Sequence, residues 1–132
     1  MAVNVLVMRQ ITLREIDPTC CPVIVEAPLA EGDAEQLASW LKVLADPARL
    51  RLISFLAAQP DQEACVCNLT GPIGLSQPTV SHHLRVLTGA GIVERESRGR
   101  WAFYKLRRGP LAALGDALGG GLGVATQPPR IG

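Results

Sequence analysis

One segment, residues 76–106, places the tightest limit on what this chain can fold into. Ser76 precedes a proline at position 78, which is typical of a capped helix start because the first turn does not use the N–H that proline lacks. At 100° per residue, three apolar side chains share one narrow sector: Val80, Leu84 and Leu87. The opposite side carries Ser81, His82 and Arg85. The segment therefore predicts a helix with one packed face and one polar, partly cationic face.

A basic hairpin is predicted directly after this helix. The helix ends at Gly89-Ala90-Gly91, and two strands follow around a turn at Ser97-Arg98-Gly99-Arg100: Ile92 to Glu96 and Trp101 to Leu106. Residues 76–108 contain seven Lys+Arg and two Asp+Glu, whereas residues 1–75 contain five and nine. Such a basic block is typical of a phosphate-contacting surface, and equally of a solvated hairpin face.

Two more helices are predicted upstream. The first is capped by Asp33 and ends near Ala45, with an apolar stripe at Leu37, Trp40, Leu41 and Leu44. The second starts at Asp46-Pro47 as cap and first helical residue, and stops before Pro60. Its predicted inward stripe is Leu50, Ile53 and Leu56. Both helices are therefore expected to build the core.

The order of these elements predicts the fold. A short helix around Cys65 to Thr70, a turn on Gly71-Pro72-Ile73-Gly74, the capped helix and the hairpin make a winged helix-turn-helix, a mainly α fold with a β-hairpin (α+β). The capped helix suits the major groove, and the hairpin, or wing, suits the DNA backbone. Predicted groove residues are Gln77, Thr79, Ser81, His82 and Arg85; predicted backbone contacts are Arg98 and Arg100. Local capping remains an alternative for Gln77 and Thr79, and His83, beside the apolar stripe, is expected to be buried and hydrogen-bonded.

The remaining organisation follows from length and composition. With 132 residues, the chain fits one domain, predicted at 32–118, preceded by a proline-containing flexible arm at 1–31 and followed by a glycine-led disordered tail at 119–132. A last helix is expected from Leu111 to Leu118. No run reaches the ~18 apolar residues of a membrane helix, and no secretory signal is evident, so a cytoplasmic protein without a membrane partner is expected.

Four thiols stand out: Cys20 and Cys21 in the arm, and Cys65 and Cys67 around Val66. In the cytoplasm they would be reduced, which indicates metal or redox chemistry rather than structural disulfides. Residues i and i+2 lie about 200° apart on a helix, so Cys65 and Cys67 are not expected to face one ion unless that turn is irregular. Thiolates without imidazole select soft ions: arsenite, antimonite, cadmium, lead or zinc. The alternative for Cys65 and Cys67 is that both are small buried hydrophobic residues.

Two stretches carry a family resemblance: LADPARLRLISFLA and ACVCNLTGPIGLSQPTVSHHLRVLTGAGIVERESRGRWAFYKL. With the first helix, they resemble the ArsR/SmtB family of metal-responsive repressors over roughly residues 33–118. The resemblance implies a homodimeric winged-helix repressor that leaves double-stranded operator DNA when a metal or metalloid ion binds, with no permanently bound cofactor. Candidate dimer contacts lie on the first and last helices: Trp40, Leu44, Leu111, Leu114 and Leu118.

The resemblance also implies a ligand set. Cys-Val-Cys together with an adjacent cysteine pair near the N-terminus is similar to the arsenic-responsive branch, in which the inducer is As(III) or Sb(III). It implies Cys20, Cys21 and Cys65 as ligands, with Cys67 as an accessory. Three thiolates suit trivalent arsenic and four suit a tetrahedral dication, so cadmium, lead and zinc remain alternatives. The family's other site, on the last helix, is not expected here because that helix offers only Asp116 and no histidine.

Two other functions remain open. A redox sensor would use the same thiols, oxidised by peroxide. A thiol enzyme such as an arsenate reductase would need a Cys-x5-Arg loop in one major family, and none of the four cysteines has an arginine six positions later. We therefore expect a DNA-binding protein and not an enzyme.

Overall fold

The computed structural model describes residues 23–120. We number its elements along the chain as α1 (Glu31–Leu44), α2 (Pro47–Ala57), β1 (Glu63–Cys65), α3 (Thr70–Ile73), α4 (Gln77–Gly89), β2 (Val93–Arg98), β3 (Trp101–Leu106) and α5 (Arg108–Gly115). The strands form one antiparallel sheet in the order β1-β3-β2. The predicted fold class, a winged helix-turn-helix with a β-hairpin, is confirmed, although the sheet has a third strand.

The first helix begins earlier than the sequence predicts. Asp33 is not its cap: α1 starts at Glu31, after Ala30, whose side chain makes no capping hydrogen bond. Glu31 and Asp33 instead both lie in the first turn, where negative charge interacts favourably with the helix dipole. The helix ends at Leu44, as expected from the sequence.

The start of α2 is confirmed, and its predicted stripe is partly wrong. Asp46 Oδ1 accepts hydrogen bonds from the backbone N–H groups of Ala48 (2.8 Å) and Arg49 (3.2 Å). The fully buried residues are Leu52 and Leu56, whereas Leu50 is 51% exposed. Arg51 donates to the carbonyls of Pro72 (2.9 Å) and Ile73 (3.0 Å), which ties that side of α2 to α3.

Residues 63–74 differ most from the prediction. Cys65 to Thr70 is not a helix: β1 ends at Cys65, a 3₁₀ turn covers Val66–Asn68, and α3 begins at Thr70. Gly71-Pro72-Ile73, predicted as a turn, lies within α3, which ends at Gly74 with a φ of +75°. Pairing with β3 supplies the backbone partners of β1, a tertiary interaction that local sequence does not reveal.

The helix predicted after Ser76 is confirmed as α4. Ser76 Oγ accepts from the backbone N–H of Thr79, and Val80, Leu84 and Leu87 are fully buried. The hairpin is tighter than predicted: Ser97 and Arg98 belong to β2, so only Gly99 and Arg100 separate the strands. Gly99 has a φ of +63°, which a side chain would strain.

The last helix starts at Arg108, three residues before the predicted Leu111, and continues after Gly115 as a π-helical turn, Asp116–Gly120. Leu114 and Ala117 complete a core built from α1, α2, α4, β2 and β3. Ile24 donates its backbone N–H to the carbonyl of Ala117 (2.9 Å), which joins the chain before α1 to this C-terminal turn. In the described part of the chain, no helix is both long and apolar enough to cross a bilayer.

Candidate nucleic-acid interface and cysteine pair

The polar face of α4 is open to solvent. Gln77, Thr79, His82 and Arg85 are exposed, and Ser81 is half-buried. Thr79 Oγ1 lies 2.9 Å from Ser76 Oγ, so this hydroxyl takes part in the helix cap, as the alternative interpretation of Thr79 states. The structure therefore places all five predicted groove residues on one helix, with His82 and Arg85 beyond the capping turn.

His83 is hydrogen-bonded, as predicted, but it is half-buried rather than buried. Arg49 Nη1 lies 3.2 Å from His83 Nδ1, and because a guanidinium only donates, Nδ1 is the acceptor in this hydrogen bond. The guanidinium of Arg49 also donates to the carbonyls of Val43 (2.5 Å) and Lys42 (3.3 Å) at the end of α1. One side chain thus joins α1, α2 and α4.

Arg49 was missed in the sequence analysis. The local sequence indicates a role for Arg49 only through its place three residues after the capping Asp46. In the structure Arg49 Nη1 lies 3.8 Å from Asp46 Oδ2. The backbone N–H of Arg49, helped by that of Ala48, holds the pKa of the Asp46 carboxyl below its usual value, against the opposing effect of burial. The cap of α2 is therefore ionised at neutral pH, next to the contact between Arg49 and His83.

The structure separates the two predicted wing arginines. Arg100 is exposed in the hairpin turn. Arg98 instead folds back on the sheet, where it donates to both carboxylate oxygens of Glu63 (3.0 and 2.8 Å) and to Glu96 (3.1 Å), with its guanidinium 4.4 Å from the centre of the Phe103 ring. In this conformation carboxylates on the sheet hold Arg98, whereas Arg100 is exposed in the turn, and a phosphate contact of either arginine stays a prediction.

Trp101 is a second side chain that the sequence analysis did not place at the interface. It follows Arg100 directly and is 52% exposed. Its signal in the sequence is an aromatic residue at the first position after a glycine-containing basic turn. The wing therefore presents a planar apolar surface next to its free cation.

The cysteine pair has a geometry that the sequence did not predict. Cys65 ends β1, Cys67 lies in the following 3₁₀ turn, and the structure joins their Sγ atoms as a disulfide, with the Cα atoms 5.2 Å apart. The segment is a strand end followed by a 3₁₀ turn, which is the irregular case in which the sequence allows both sulfurs to face one ion. The expectation of reduced thiols rather than a disulfide is not met for this pair.

The two sulfurs differ in access. Cys65 is 3% exposed, whereas Cys67 is exposed. The backbone N–H of Cys67 points at Cys65 Sγ (3.3 Å), an interaction that would stabilise a thiolate at that sulfur. Cys20 and Cys21 lie outside the described residues. Within residues 23–120, no three His, Cys, Asp or Glu side chains form a group that could hold a metal ion.

The predicted dimer contacts fall into three classes of burial. Trp40 and Leu114 are buried in the core of their own protomer, Leu44 and Leu111 are half-buried, and Leu118 is 48% exposed. Leu118 therefore offers the largest apolar surface of the five, and the assignment of all five to a dimer interface stays a prediction.

Comparison with known proteins identifies the family. The sequence profile described as "Bacterial regulatory protein, arsR family" matches residues 46–95, from the cap of α2 into β2. The HTH-type transcriptional regulator NmtR of Mycobacterium tuberculosis is 40% identical over 90 residues, which cover 68% of this chain and 72% of that protein. The chain belongs to the ArsR family.

Other ArsR-family proteins match over shorter segments. The "Transcriptional repressor SmtB homolog" of Synechocystis is 44% identical over 73 residues, covering 55% of this chain and 53% of that protein, so the chain spans about half the length of this relative. A crystal structure described as a "Possible transcriptional regulator for arsenical resistance" superposes with a TM-score of 0.52 at 40% identity, covering 57% of this chain and 75% of the other. The matches include an SmtB homolog and a possible regulator for arsenical resistance, so they show the family and not an inducer.

Proposed function

We propose that this ArsR-family chain is a homodimeric repressor that binds double-stranded operator DNA and releases it when its cysteines bind arsenite or antimonite. The observation that carries the DNA-binding half is the division of α4 into a fully buried side and an exposed polar side. A helix of this kind can lie in the major groove, where His82 and Arg85 reach base edges. Two copies related by a twofold axis would read two half-sites about 34 Å apart.

The chemistry of the cysteines supports the inducer half of the proposal. Cys65 and Cys67 bring two sulfurs to one place, and both become soft thiolate ligands once the bond between them is reduced. Cys20 or Cys21 would supply the third sulfur that trivalent arsenic or antimony needs. A fourth would instead suit cadmium, lead or zinc, which remain the alternative inducers.

A second candidate, a thiol redox sensor, is favoured by the pairing of Cys65 with Cys67. Hydrogen peroxide would take two electrons and two protons from the two thiols; the S–S bond forms, the O–O bond breaks, and two water molecules leave. The protein with the oxidised cysteine pair would then be the form that has released operator DNA. This candidate needs the same cysteines and the same DNA-binding surface, but no ion.

Inducer titration against the complex of the reduced dimer with its operator tests the proposal. With excess reductant, arsenite and antimonite should weaken operator binding about 5- to 150-fold, at lower concentrations than cadmium, lead or zinc. Fluorescence anisotropy of labelled operator DNA measures the release. Release by peroxide alone, with no response to any of the five ions, would replace the proposal with the redox sensor.

Substitutions on α4 and the wing should weaken DNA binding in different ways. His82→Ala or Arg85→Ala should cost about 1–3 kcal/mol for each lost base contact and relax sequence preference. Arg100→Ala should weaken all sequences alike and reduce the slope of log K against log salt by about one, because it removes one phosphate contact. Binding isotherms at several salt concentrations measure both effects.

Lys42→Ala is the control for these variants, because it removes one positive charge from an exposed position on α1. Its salt slope should match that of the unsubstituted protein. If Arg100→Ala also keeps the full slope, Arg100 does not contact a DNA phosphate.

A further inference from the structure

The outer face of the sheet holds both the cysteine pair and the wing arginine. Cys65 of β1 lies opposite Phe103 of β3, which in turn lies opposite Glu96 of β2. Directly opposed residues of an antiparallel sheet project to the same side. Arg98, two residues after Glu96 on the same strand, shares that side. The sheet therefore places the sulfur of Cys65 and the guanidinium of Arg98 on one surface.

Two of the three contacts of Arg98, Glu63 and Phe103, lie next to Cys65, and the third, Glu96, lies across β3. Glu63, which holds both of its terminal nitrogens, is two residues before Cys65 and on the same side of β1. Phe103, the ring beneath the guanidinium, is the residue opposite Cys65. Because β1 contains only three residues, Glu63 and Cys65 are its two ends.

The pair between Glu63 and Arg98 is a side-chain contact that joins β1 to β2 across β3. Its two parallel hydrogen bonds fix direction as well as distance. The hydrogen bonds from Arg98 also hold the pKa of the Glu63 carboxyl below its usual value, so the carboxylate is charged at neutral pH. The side chain of Glu63 is only 19% exposed, which leaves the carboxylate little access to competing water.

We propose that Glu63 is a positioning residue that couples the cysteine pair to the wing, so that engaged sulfurs keep Arg98 on the sheet and free thiols release it toward DNA. The structure shows one of these two states: Cys65 is joined to Cys67 and Arg98 is held. When the thiols are free, β1 relaxes, the pair opens, and Arg98 joins Arg100 on the phosphates. This inference rests on the proposed function and adds a route through the wing to it.

The first experiment needs neither DNA nor an inducer. In the full-length chain carrying Cys20→Ser and Cys21→Ser, Cys65 and Cys67 are the only cysteines. Diamide joins them, taking two electrons and two protons to become a hydrazine, and a phosphine separates them. Solvent exchange of the Arg98 Nη–H protons, which donate to Glu63, should be several-fold faster in the separated form when followed by NMR. Equal exchange in the two forms would overturn the proposal.

Glu63→Gln and Glu94→Gln form the matched comparison. Both remove one negative charge opposite Lys105, but Glu94 lies on β2 and is not among the carboxylates that bind Arg98. Glu63→Gln should give fast Arg98 exchange in both thiol states, and Glu94→Gln should behave like the unsubstituted background. Arg98→Lys is a second variant that keeps the charge and loses the two-pronged contact; in it, exchange of the wing amides at Gly99 and Arg100 should no longer depend on the thiol state.

The second experiment measures operator binding in the chain with all four cysteines. The inducer should change the salt slope by about one in the unsubstituted protein and leave it unchanged in Glu63→Gln, because Arg98 is free in both states of that variant. If Glu63→Gln shows the full change in slope, the coupling is wrong and the proposed function stands. If the unsubstituted protein does not bind or release operator DNA, the proposed function fails, and the exchange experiment still decides the coupling.

Discussion

Replacing Leu52 with alanine is expected to lower the free energy of unfolding by about 2–5 kcal/mol. Leu52 is fully buried in the core that α2 forms with α4 and β3, so the substitution removes apolar contacts and leaves a cavity. Urea unfolding followed by circular dichroism measures the change.

Leu50→Ala is the matched control, since it makes the same chemical change two residues away on the same helix. Leu50 is half exposed, and a surface substitution of this kind usually changes stability by about 0.5 kcal/mol or less. Equal losses for the two variants would show that α2 is rotated toward the stripe that the sequence predicts, with Leu50 facing inward.

Cys67→Ser is expected to abolish inducer-driven release as completely as Cys65→Ser, removing the whole 5- to 150-fold drop in operator affinity. The sequence alone made Cys67 an accessory, but the structure brings its sulfur to that of Cys65. Operator binding without inducer should be retained, because the pair lies outside α4 and the wing tip. Operator affinity measured with and without arsenite, under reductant, tests both statements.

Asn68→Ser is the control for this variant, because it places serine on the next exposed residue of the same 3₁₀ turn without removing a thiol. It should release DNA normally. A normal response from Cys67→Ser as well would leave Cys20, Cys21 and Cys65 as the ligand set, as the family resemblance implies.

The elements that could be predicted from sequence are those decided by neighbouring residues. Asp46 with Pro47 starts α2, and Ser76 with Pro78 starts α4, because each cap is a contact within three residues. The buried side of α4 was also predictable, because its apolar residues have a single arrangement at helical spacing. On α2 they have two, and the packing of the core buries Leu52 and Leu56 and leaves Leu50 exposed.

The site was predictable as a set of residues but not as an arrangement. His82 and Arg85 are exposed wherever the apolar side of α4 is buried, so their position followed from the pattern. The pairing of Arg98 with Glu63 joins residues 35 apart and depends on β1, a strand that only pairing with β3 creates. The approach of Cys67 to Cys65 depends on the same strand, because Cys65 is the last residue of β1 and Cys67 lies in the 3₁₀ turn that follows it.

Arg49 has a consequence for how a dimer could measure DNA. Its guanidinium reaches the last carbonyls of α1 and the ring of His83 on α4. If α1 contributes to the dimer axis, as the family resemblance implies, this side chain is one of the contacts in each subunit that set the separation of the two reading helices. The distance between the two reading helices would then be set by contacts inside each subunit. A small rotation at the dimer axis would change the half-site spacing that the protein accepts.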